Sequence, residues 1–393
     1  MRSARSWRTL LLATAVGSLL HCAEEPAARP HLLLITLEDV RPDDLACYDP
    51  RVEQGYAICD LAEEGGRFVW AFSTSPATGP AAASLLTGRS PSEHGVSETV
   101  ASFLPDPEST LAERLRQEGY TTAAFVSNPE LNRSRNLNQG FDVYRDRVDL
   151  GSVVEATRNW TESAQPPWFI WVHLMRWEDG GEIPLSESNT LRLDRSVAEL
   201  ITRLEDETRA QGILLTSLHG RNDDVTAKDP WLDLTQLRVP LLWQAPKTTP
   251  GPGIARKLRT PVSLVDVAPT LLDAAGVDLS KTGDLEGLAL PYADLPARPL
   301  RTLWAEDRDS TLLIHGVEFA RFASDPEVMR DGVAGSGRLW PADDPASEKT
   351  PTLDTRPTGR DRHRRLGAQV GLPATQSEPN TPRQAPDGGF VQP

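Results

Sequence analysis

Two adjacent carboxylates, Glu38 and Asp39, stand directly after the apolar run HLLLITL at residues 31–37. A short, nearly continuous apolar run of this kind is typical of a parallel strand that is buried on both faces. In sheets built from such strands, ligands bind beyond the carboxyl ends of the strands. The acidic pair therefore marks the end of the first predicted strand as the place where chemistry is expected.

Two cysteines, Cys47 and Cys59, offer a second kind of chemistry. A disulfide between them would close a short loop and stabilise the fold by roughly 3 kcal/mol. Such a bond forms only if the two Cα atoms lie close together, which the spacing does not decide. Two buried free thiols are the alternative.

Strand and helix patterns alternate along the chain and would position these residues. Strand patterns cover residues 31–37, 120–127, 168–173, 212–217 and 239–244, and helix patterns cover 110–119, 193–209 and 264–275. This alternation predicts an α/β fold with a mostly parallel central sheet and helices on both faces. Residues 346–393 have almost no aliphatic periodicity and are predicted to be a disordered tail.

Six segments resemble the sulfatases, in the order in which that family has them. They are LLLITLEDVRPDDLACY (33–48), SPATGPAAASLLTGRSPSEHGV (75–96), TLAERLRQEGYTTAAFVSN (110–128), GILLTSLHG (212–220), LRVPLLWQAP (237–246) and PVSLVDVAPTLLDAAGV (261–277). The resemblance implies the alkaline-phosphatase/sulfatase-like fold. It predicts a sulfatase-like α/β domain over residues 31–290 and a small C-terminal subdomain over 291–345.

The resemblance also implies a metal site. Sulfatases hold calcium or magnesium with two acidic residues after the first strand and an Asp-Asn or Asp-His pair after a later one, because hard cations prefer oxygen ligands. Matching positions make Glu38, Asp39 and His219 the expected ligands. Leu218 stands where a carboxylate belongs and cannot bind a metal, so the ion is expected to be held weakly or lost. Residues 223–224 (Asp-Asp) could substitute or be loop surface.

The nucleophile position of the family falls on Thr78. Active sulfatases have Cys-x-Pro-Ser-Arg or its Ser variant here, and oxidise the first residue to formylglycine. This chain keeps Pro80 but has Ala81 and Ala82 in place of Ser and Arg, and threonine cannot become formylglycine. Phosphodiesterase and mutase relatives with two zinc ions do use threonine as a nucleophile. The alternative role for Thr78 is a helix N-cap.

The residues expected to hold the ester are also altered. VHLMRWEDGG keeps His173 of the family stretch but has Trp177 and Glu178 where a proline and an anion-binding histidine belong, and a carboxylate there would repel sulfate. Lys228 falls near a lysine that often binds the ester oxygens. His94 matches a family position whose expected role is structural.

Charge and the N-terminal segment predict where the protein acts. A net charge of −15 disfavours nucleic acid as a partner. Arginines followed by an apolar run at residues 10–20 and then Cys22 resemble a bacterial lipoprotein signal. This predicts a signal peptide (1–21), a tether (22–30), and export to the periplasm or cell envelope with a lipid on Cys22. An ordinary cleaved signal and an uncleaved anchor are the alternatives.

Three functions follow from these residues. The leading one is a sulfuric ester hydrolase scaffold whose hydrolysis of sulfate monoesters is weak or lost, because three charged groups of the site are absent. The second is a pseudo-sulfatase that acts as an exported binding or scaffold module. The third is a metal-dependent phosphodiesterase or phosphatase with threonine as nucleophile. The partner is a sulfate or phosphate ester if the site is active, and the sequence selects no particular ester or oligomeric state.

Overall fold

The structure is a computed structural model that describes most of the chain between residues 28 and 290 and four strands beyond. The described residues are 28–53, 55–99, 101–146, 148–175, 177–178, 181–182, 187–204, 211–221, 234–247, 257–290, 302–307, 310–315, 318–323 and 336–338. The predicted signal peptide, Cys22, residues 223–224, Lys228 and the tail at 346–393 lie outside these ranges.

Strands of the described residues form one large sheet and three small ones. In chain order the strands are β1 (His31–Leu37), β2 (Gly66–Phe68), β3 (Ala71–Phe72), β4 (Thr121–Val126), β5 (Val143–Asp146), β6 (Trp168–Leu174), β7 (Trp177–Glu178), β8 (Gly181–Glu182), β9 (Gln211–Ser217), β10 (Arg238–Val239), β11 (Leu241–Gln244), β12 (Lys257–Leu258), β13 (Val262–Ser263), β14 (Thr302–Glu306), β15 (Ser310–His315), β16 (Glu318–Ala323) and β17 (Ser336–Arg338). The large sheet has the order β12-β2-β11-β9-β1-β6-β4-β5. Strands β10, β3 and β13 form a second sheet, β14 to β17 a third, and β7 pairs with β8.

Along the chain, helices alternate with the strands. They are α1 (Tyr56–Glu64), α2 (Thr78–Thr87), α3 (Pro91–His94), α4 (Leu111–Gln117), α5 (Val153–Thr161), α6 (Glu187–Leu204), α7 (Leu234–Leu237) and α8 (Val267–Ala274), with short 3-10 turns at Pro42–Asp44, Pro129–Leu131, Arg133–Arg135, Leu264–Asp266 and Leu279–Lys281. Among the described residues, no helix has the length and apolarity to cross a bilayer.

Strand β1 lies in the interior of the large sheet and pairs in parallel with β6 and with β9. Strands β4 and β5 continue the parallel arrangement on one side, and β11 is antiparallel to β9 on the other. The mostly parallel sheet predicted from the sequence is thus confirmed. Because Thr36 is in register with His173, and Leu37 with Ser217, the carboxyl ends of these three strands meet at one edge.

Both faces of the sheet are covered by helices, as the apolar strands require. Alternate side chains of a strand point to opposite faces. Leu32 and Leu34 pack in a cluster with α2, α4 and α8, whereas Leu33 and Ile35 pack in a cluster with α1, α5 and α6. Every residue of β1 is buried. The two clusters hold the carboxyl edge of β1 rigidly between them.

Three element predictions differ in detail from the structure. The predicted strand at 239–244 is divided into β10 and β11 at Pro240, which has no backbone N–H to give to a sheet. The predicted helix at 264–275 begins as a 3-10 turn, Leu264–Asp266, before α8. The predicted helix at 193–209 starts earlier, at Glu187, and is described to Leu204.

Cys47 and Cys59 form a disulfide with a Cα–Cα distance of 5.5 Å. The alternative of two free thiols is therefore wrong. The bond links the loop after the first 3-10 turn to helix α1, on the face of the sheet opposite α2. It closes the segment that follows the acidic pair.

Candidate active site

Five of the six predicted site residues converge at the carboxyl edge of the large sheet. Glu38 and Asp39 follow β1, His173 is the second-last residue of β6, and His219 lies two residues after β9. Thr78 is the first residue of α2, which approaches the same edge. The sixth residue, Lys228, lies outside the described residues.

The Thr78 hydroxyl faces the site and does not cap its helix. The N-cap of α2 is Ala77, and no side chain caps this helix end. Thr78 Oγ1 donates a 2.6 Å hydrogen bond to Glu38 Oε1 and lies 3.2 Å from His219 Nε2. The N-cap role considered for Thr78 is therefore wrong. A hydroxyl held between a carboxylate and an imidazole has the arrangement of an activated nucleophile.

Glu38 is the central residue of the cluster and is only 7% exposed. Its Oε1 lies 3.0 Å from His219 Nε2, and its Oε2 lies 3.0 Å from His173 Nε2. Burial acts to raise the pKa of the Glu38 carboxyl, but the charge of His219 and the close polar contacts with His173 and His219 outweigh burial and hold that pKa well below its usual range. Glu38 is ionised at neutral pH.

His219 is held between two carboxylates. Its Nδ1 lies 3.3 Å from Asp39 Oδ1 and 3.1 Å from the carbonyl oxygen of Gly220. Burial acts to lower the pKa of His219, but the charge and hydrogen bond of Glu38 and the charge of Asp39 raise that pKa to about 9. The imidazole ring thus brings a positive charge to the cluster.

Asp39 adopts a backbone conformation that few residues accept. Its φ angle of 58° lies in the left-handed region, one of two such non-glycine residues in the described part of the chain. Aspartate tolerates this region better than most residues, because its short side chain can bond locally. The conformation turns the chain sharply after β1, so that Glu38 and Asp39 both reach His219.

Two residues that the sequence analysis did not single out, Thr36 and Trp171, orient the His173 ring. The Trp171 indole N–H donates to Thr36 Oγ1 at 2.9 Å, and Thr36 Oγ1 lies 2.9 Å from His173 Nδ1. With Nδ1 as acceptor, the ring carries its proton on Nε2, which faces Glu38. Thr36 is a polar residue inside an apolar run, and that was the signal in the sequence.

A buried arginine packs against the first turn of α2. A Cβ on Gly79 would lie 3.1 Å from the guanidinium carbon of Arg135, so only glycine fits there without displacing it. Arg135 is 3% exposed, and its Nη1 donates to the carbonyls of Ser97, Thr99 and Ser102. Because these three carbonyls occupy Nη1, Arg135 supports the loop around Ser97, Thr99 and Ser102. The sequence contained no signal for this contact.

Several positions predicted from the family pattern do not contribute to the cluster. The Leu218 side chain is fully buried in the hydrophobic cluster beside α2, which confirms that it offers no ligand. Ala82 is buried within α2 and brings no charge. His94 lies at the other end of α2 and bonds to Ser84 and to the Val96 backbone, as its expected structural role requires. The side chains at 177–178 are outside the described set.

The cluster has the donor atoms of a divalent-metal site. Ligand atoms of Glu38, Asp39 and His219 lie within 4.8 Å of one another. Glu38 Oε2 is buried and has no hydrogen bond of good geometry, although His173 Nε2 is 3.0 Å away, so this oxygen has capacity for a cation. Two carboxylates and an imidazole, which would release its proton when an ion binds, fit a divalent ion that accepts nitrogen as well as oxygen. They are few for calcium, which takes six to eight oxygens.

Residues 30–177 match the sulfatase family model. A curated relative, the N-acetylglucosamine-6-O-sulfatase of Bacteroides thetaiotaomicron, is 32% identical over 142 residues, which cover 34% of this chain and 24% of that protein. Mouse arylsulfatase G is 38% identical over 125 residues, covering 30% and 24% respectively. The aligned segments thus span about a quarter of the length of these relatives.

The fold is shared over a longer stretch than the sequence. A solved structure of an enzyme with its substrate D-glucosamine-2-N,6-O-disulfate superimposes with a TM-score of 0.64 at 14% identity, covering 87% of this chain and 96% of that one. An identity this low shows the common fold alone. Residues 30–177 are thus similar to the sulfatases, with a divergence in keeping with about 30% identity to the curated relatives, and the chain shares the fold of these solved structures beyond that match.

Proposed function

We propose that the protein is a sulfuric ester hydrolase scaffold in which Thr78 takes the nucleophile position and turnover of sulfate monoesters is strongly weakened or lost. The observation that supports this best is the 2.6 Å hydrogen bond from the Thr78 hydroxyl to Glu38, beside His219. A nucleophile within hydrogen-bond reach of a base is the first geometric requirement of covalent catalysis.

In the proposed reaction, Thr78 Oγ1 attacks the sulfur of the ester, and its proton passes to Glu38 Oε1. The bond from sulfur to the ester oxygen breaks, and the leaving alkoxide takes a proton from solvent. Water then attacks the sulfur of the sulfothreonine and releases its protons to solvent. The bond from sulfur to Oγ1 breaks, Glu38 returns its proton to Thr78 Oγ1, and sulfate leaves. The low pKa of Glu38 makes it a weak base, which slows the first step.

Missing cationic groups are the main reason to expect slow turnover. Ala82 and the residue at 178 stand where the family has an arginine and an anion-binding histidine. Loss of one such electrostatic group typically lowers kcat by about 10²- to 10³-fold. The effects of groups that act together are not additive, but losing both removes most of the stabilisation of the transition state.

Glu38, Asp39 and His219 would hold a divalent cation in this proposal. When bound, such an ion neutralises one oxygen of the ester. The first experiment is to purify the full chain and measure bound calcium, magnesium, manganese and zinc by mass spectrometry. Asp39→Asn is the variant of choice because asparagine, unlike alanine, tolerates the left-handed backbone at this position. Asp60→Asn, at an exposed carboxylate of α1, is the matched control.

We expect about one ion per chain in the wild type and in Asp60→Asn, and none in Asp39→Asn. Turnover of 4-nitrophenyl sulfate and 4-nitrophenyl phosphate is then compared in the wild type, Thr78→Ala and Thr78→Ser. Slow sulfate turnover that disappears in Thr78→Ala supports the proposal. Fast turnover that depends on Thr78 would show that the missing groups are dispensable. Phosphate turnover that exceeds sulfate turnover and requires zinc would favour the threonine-dependent phosphodiesterase.

One observation favours the pseudo-sulfatase as a second candidate. A protonated His219 already compensates one of the two negative charges of Glu38 and Asp39, so the cluster depends less on a bound ion than two unpaired carboxylates would. This candidate predicts that EDTA and Asp39→Asn leave the melting temperature nearly unchanged and that neither ester is turned over. A large fall in melting temperature on chelation, with release of metal, would exclude it.

We also propose export of the chain, with a lipid on Cys22. The Cys47–Cys59 disulfide supports this, because such bonds persist in oxidising compartments outside the cytosol. Membrane fractionation of cells that express the full chain tests the anchor. Cys22→Ala should move the protein from the membrane to the soluble fraction, and an unchanged membrane fraction would argue against acylation.

A further inference from the structure

The loop between helices α3 and α4 lies against the helix that carries Thr78. Arg135 Nη1 donates to the Ser102 carbonyl of this loop at 3.1 Å. The same nitrogen lies 3.1 Å from the position that a Cβ on Gly79 would occupy. Gly79 directly follows Thr78 in the first turn of α2. One buried guanidinium group therefore bridges the loop and the turn that presents the candidate nucleophile.

The backbone of this loop is held on both sides of Phe103. On one side, the Ser102 carbonyl accepts the hydrogen bond from Arg135 Nη1. On the other side, the Leu104 backbone N–H donates to the Arg135 carbonyl at 2.9 Å, and the Leu104 carbonyl accepts from Asn136 Nδ2 at 2.8 Å. The Leu104 side chain is fully buried. Phe103 thus stands on a backbone that both of its neighbours fix in place.

The Phe103 ring is apolar, yet it is 56% exposed. Among the large apolar side chains that the structure describes, only Tyr56, at 57%, is more exposed. A single exposed ring is common on protein surfaces, so the place of Phe103 beside the Thr78 turn is what distinguishes it. A ring on a fixed backbone loses little conformational entropy when another molecule covers it, and covering its apolar surface is favourable.

The polar side chains of the loop are engaged with one another. Ser97 Oγ lies 3.1 Å from Thr99 Oγ1, and Ser102 Oγ accepts the Ser97 backbone N–H at 2.8 Å. A sugar ring needs hydrogen-bond partners for its hydroxyls as well as a surface to stack on, whereas a planar apolar ring needs only the surface. The loop around Phe103 therefore favours a planar apolar ring.

We propose that Phe103 determines which esters the site accepts, because its ring stacks on a planar ring in the organic group of the ester. Arg135 holds the loop that carries Phe103 against the Thr78 turn. This inference rests on the function proposed above for the binding of a sulfate ester, but it does not require turnover. It names the chemical class of the group that the ester carries beside its sulfate.

Calorimetric titration of the full chain with phenyl sulfate, cyclohexyl sulfate and ethyl sulfate tests the proposal. The three esters share one anionic group, and only phenyl sulfate has a planar ring. We expect the wild type to bind phenyl sulfate about three- to tenfold more tightly than the other two, the usual effect of one aromatic pair. Phe103→Ala should remove this preference and leave the affinity for ethyl sulfate unchanged, whereas Phe103→Tyr keeps the ring and should retain the preference.

Tyr56→Ala is the matched control, because it removes an equally exposed ring at the start of α1. It should leave the affinity for all three esters unchanged. Phe103 is exposed, so Phe103→Ala is expected to fold, and thermal denaturation confirms that a loss of binding is not a loss of fold. A loss of the preference in Tyr56→Ala as large as that in Phe103→Ala would contradict a specific role for Phe103.

Other outcomes separate this inference from the function on which it rests. A preference for phenyl sulfate that survives in Phe103→Ala, or no preference in the wild type, would overturn the role of Phe103 and leave the proposed function standing. Cyclohexyl sulfate that binds as tightly as phenyl sulfate would show a general apolar surface and overturn the planar-ring subsite. If the wild type binds none of the three esters, the proposed function itself is contradicted, and this inference with it.

Discussion

Helix α2 has a buried histidine near each end, and the two are held in opposite charge states. At the N-terminal end, His219 contacts Glu38 and Asp39, and its pKa is raised to about 9. At the C-terminal end, burial and the charge of Arg89 lower the pKa of His94 to about 4. Both rings are largely buried, so burial alone does not set the charge of a histidine in this protein.

The difference lies in the groups that face each ring. For His219, the attraction between the charged ring and the two carboxylates outweighs the free-energy cost of burying the charge. His94 Nδ1 accepts the Val96 backbone N–H at 3.1 Å, and its Nε2 lies 2.9 Å from Ser84 Oγ. A ring with one accepting and one donating nitrogen is neutral. The N-terminal end of α2 is thus arranged for chemistry with charges, and the C-terminal end for packing.

Removing the Glu38 carboxylate should have the largest effect on the difference in charge between His219 and His94. Glu38→Gln keeps the shape of the side chain but leaves His219 without its main compensating charge. We expect the free energy of unfolding to fall by about 3 kcal/mol, the cost of breaking a buried ion pair on one side. Urea denaturation at pH 7 measures it. Asp39→Asn, which removes a more exposed carboxylate, should cost less than 1 kcal/mol.

An equal loss in Glu38→Gln and Asp39→Asn would contradict this prediction. It would mean that His219 depends on total charge and not on the buried contact with Glu38. No loss in either variant would mean that His219 becomes neutral at little cost. The control Asp60→Asn corrects both values for the change in net charge.

Acid should lower the stability of the protein through His94. The unfolded chain protonates His94 below pH 6.5, whereas the folded chain keeps it neutral down to about pH 4. Protons therefore favour the unfolded state in this window, and stability falls as the pH falls. The contribution of His94 is about 2 kcal/mol between pH 7 and pH 5.

His94→Gln isolates this contribution, because glutamine can replace both hydrogen bonds but does not titrate. The variant is less stable than the wild type at pH 7, and the gap in the free energy of unfolding should narrow by about 2 kcal/mol at pH 5. Denaturant titrations at both pH values give the two gaps. A gap that stays constant would show that His94 is protonated in the folded state.

The large elements of the fold were predictable because their apolar runs have a clear period. The strands β1, β6 and β9 are continuous apolar runs, and the helix at 110–119 has leucines on one face. Strands such as β2, β3 and β12 are two or three residues long and have no period to detect. The predicted strand at 239–244 is divided at Pro240 because β10 pairs with β3 whereas β11 pairs with β9. These pairings depend on the tertiary fold and leave no local pattern in the sequence.

The candidate site was predictable in its members but not in its contacts. Glu38, Asp39, Thr78 and His219 were found through their positions at strand ends and in family motifs. That the Thr78 hydroxyl donates to Glu38 depends on how α2 packs against β1, and no local pattern encodes that angle. The same holds for Trp171, which lies one strand away from the Thr36 hydroxyl that it orients.

The smallest predicted effect concerns the hydrogen bond that keeps His94 neutral. Ser84→Ala removes the oxygen that faces His94 Nε2. The Pro80 carbonyl also bonds to this ring, so the loss is below that of a fully unpaired N–H, and we expect about 1 kcal/mol in the free energy of unfolding. Ser134→Ala, at an exposed serine, is the control and should change stability by less than about 0.5 kcal/mol.

Ser84→Ala also separates hydrogen bonding from burial as the cause of the low pKa. Burial is the larger cause, so the variant should keep the fall in stability between pH 7 and pH 5 that the wild type has. Denaturant titrations at the two pH values measure this fall. If it disappears in Ser84→Ala but remains in Ser134→Ala, then the hydrogen bond to Ser84, and not burial, sets the charge of His94. The contrast between the two ends of α2 would then rest on one hydroxyl.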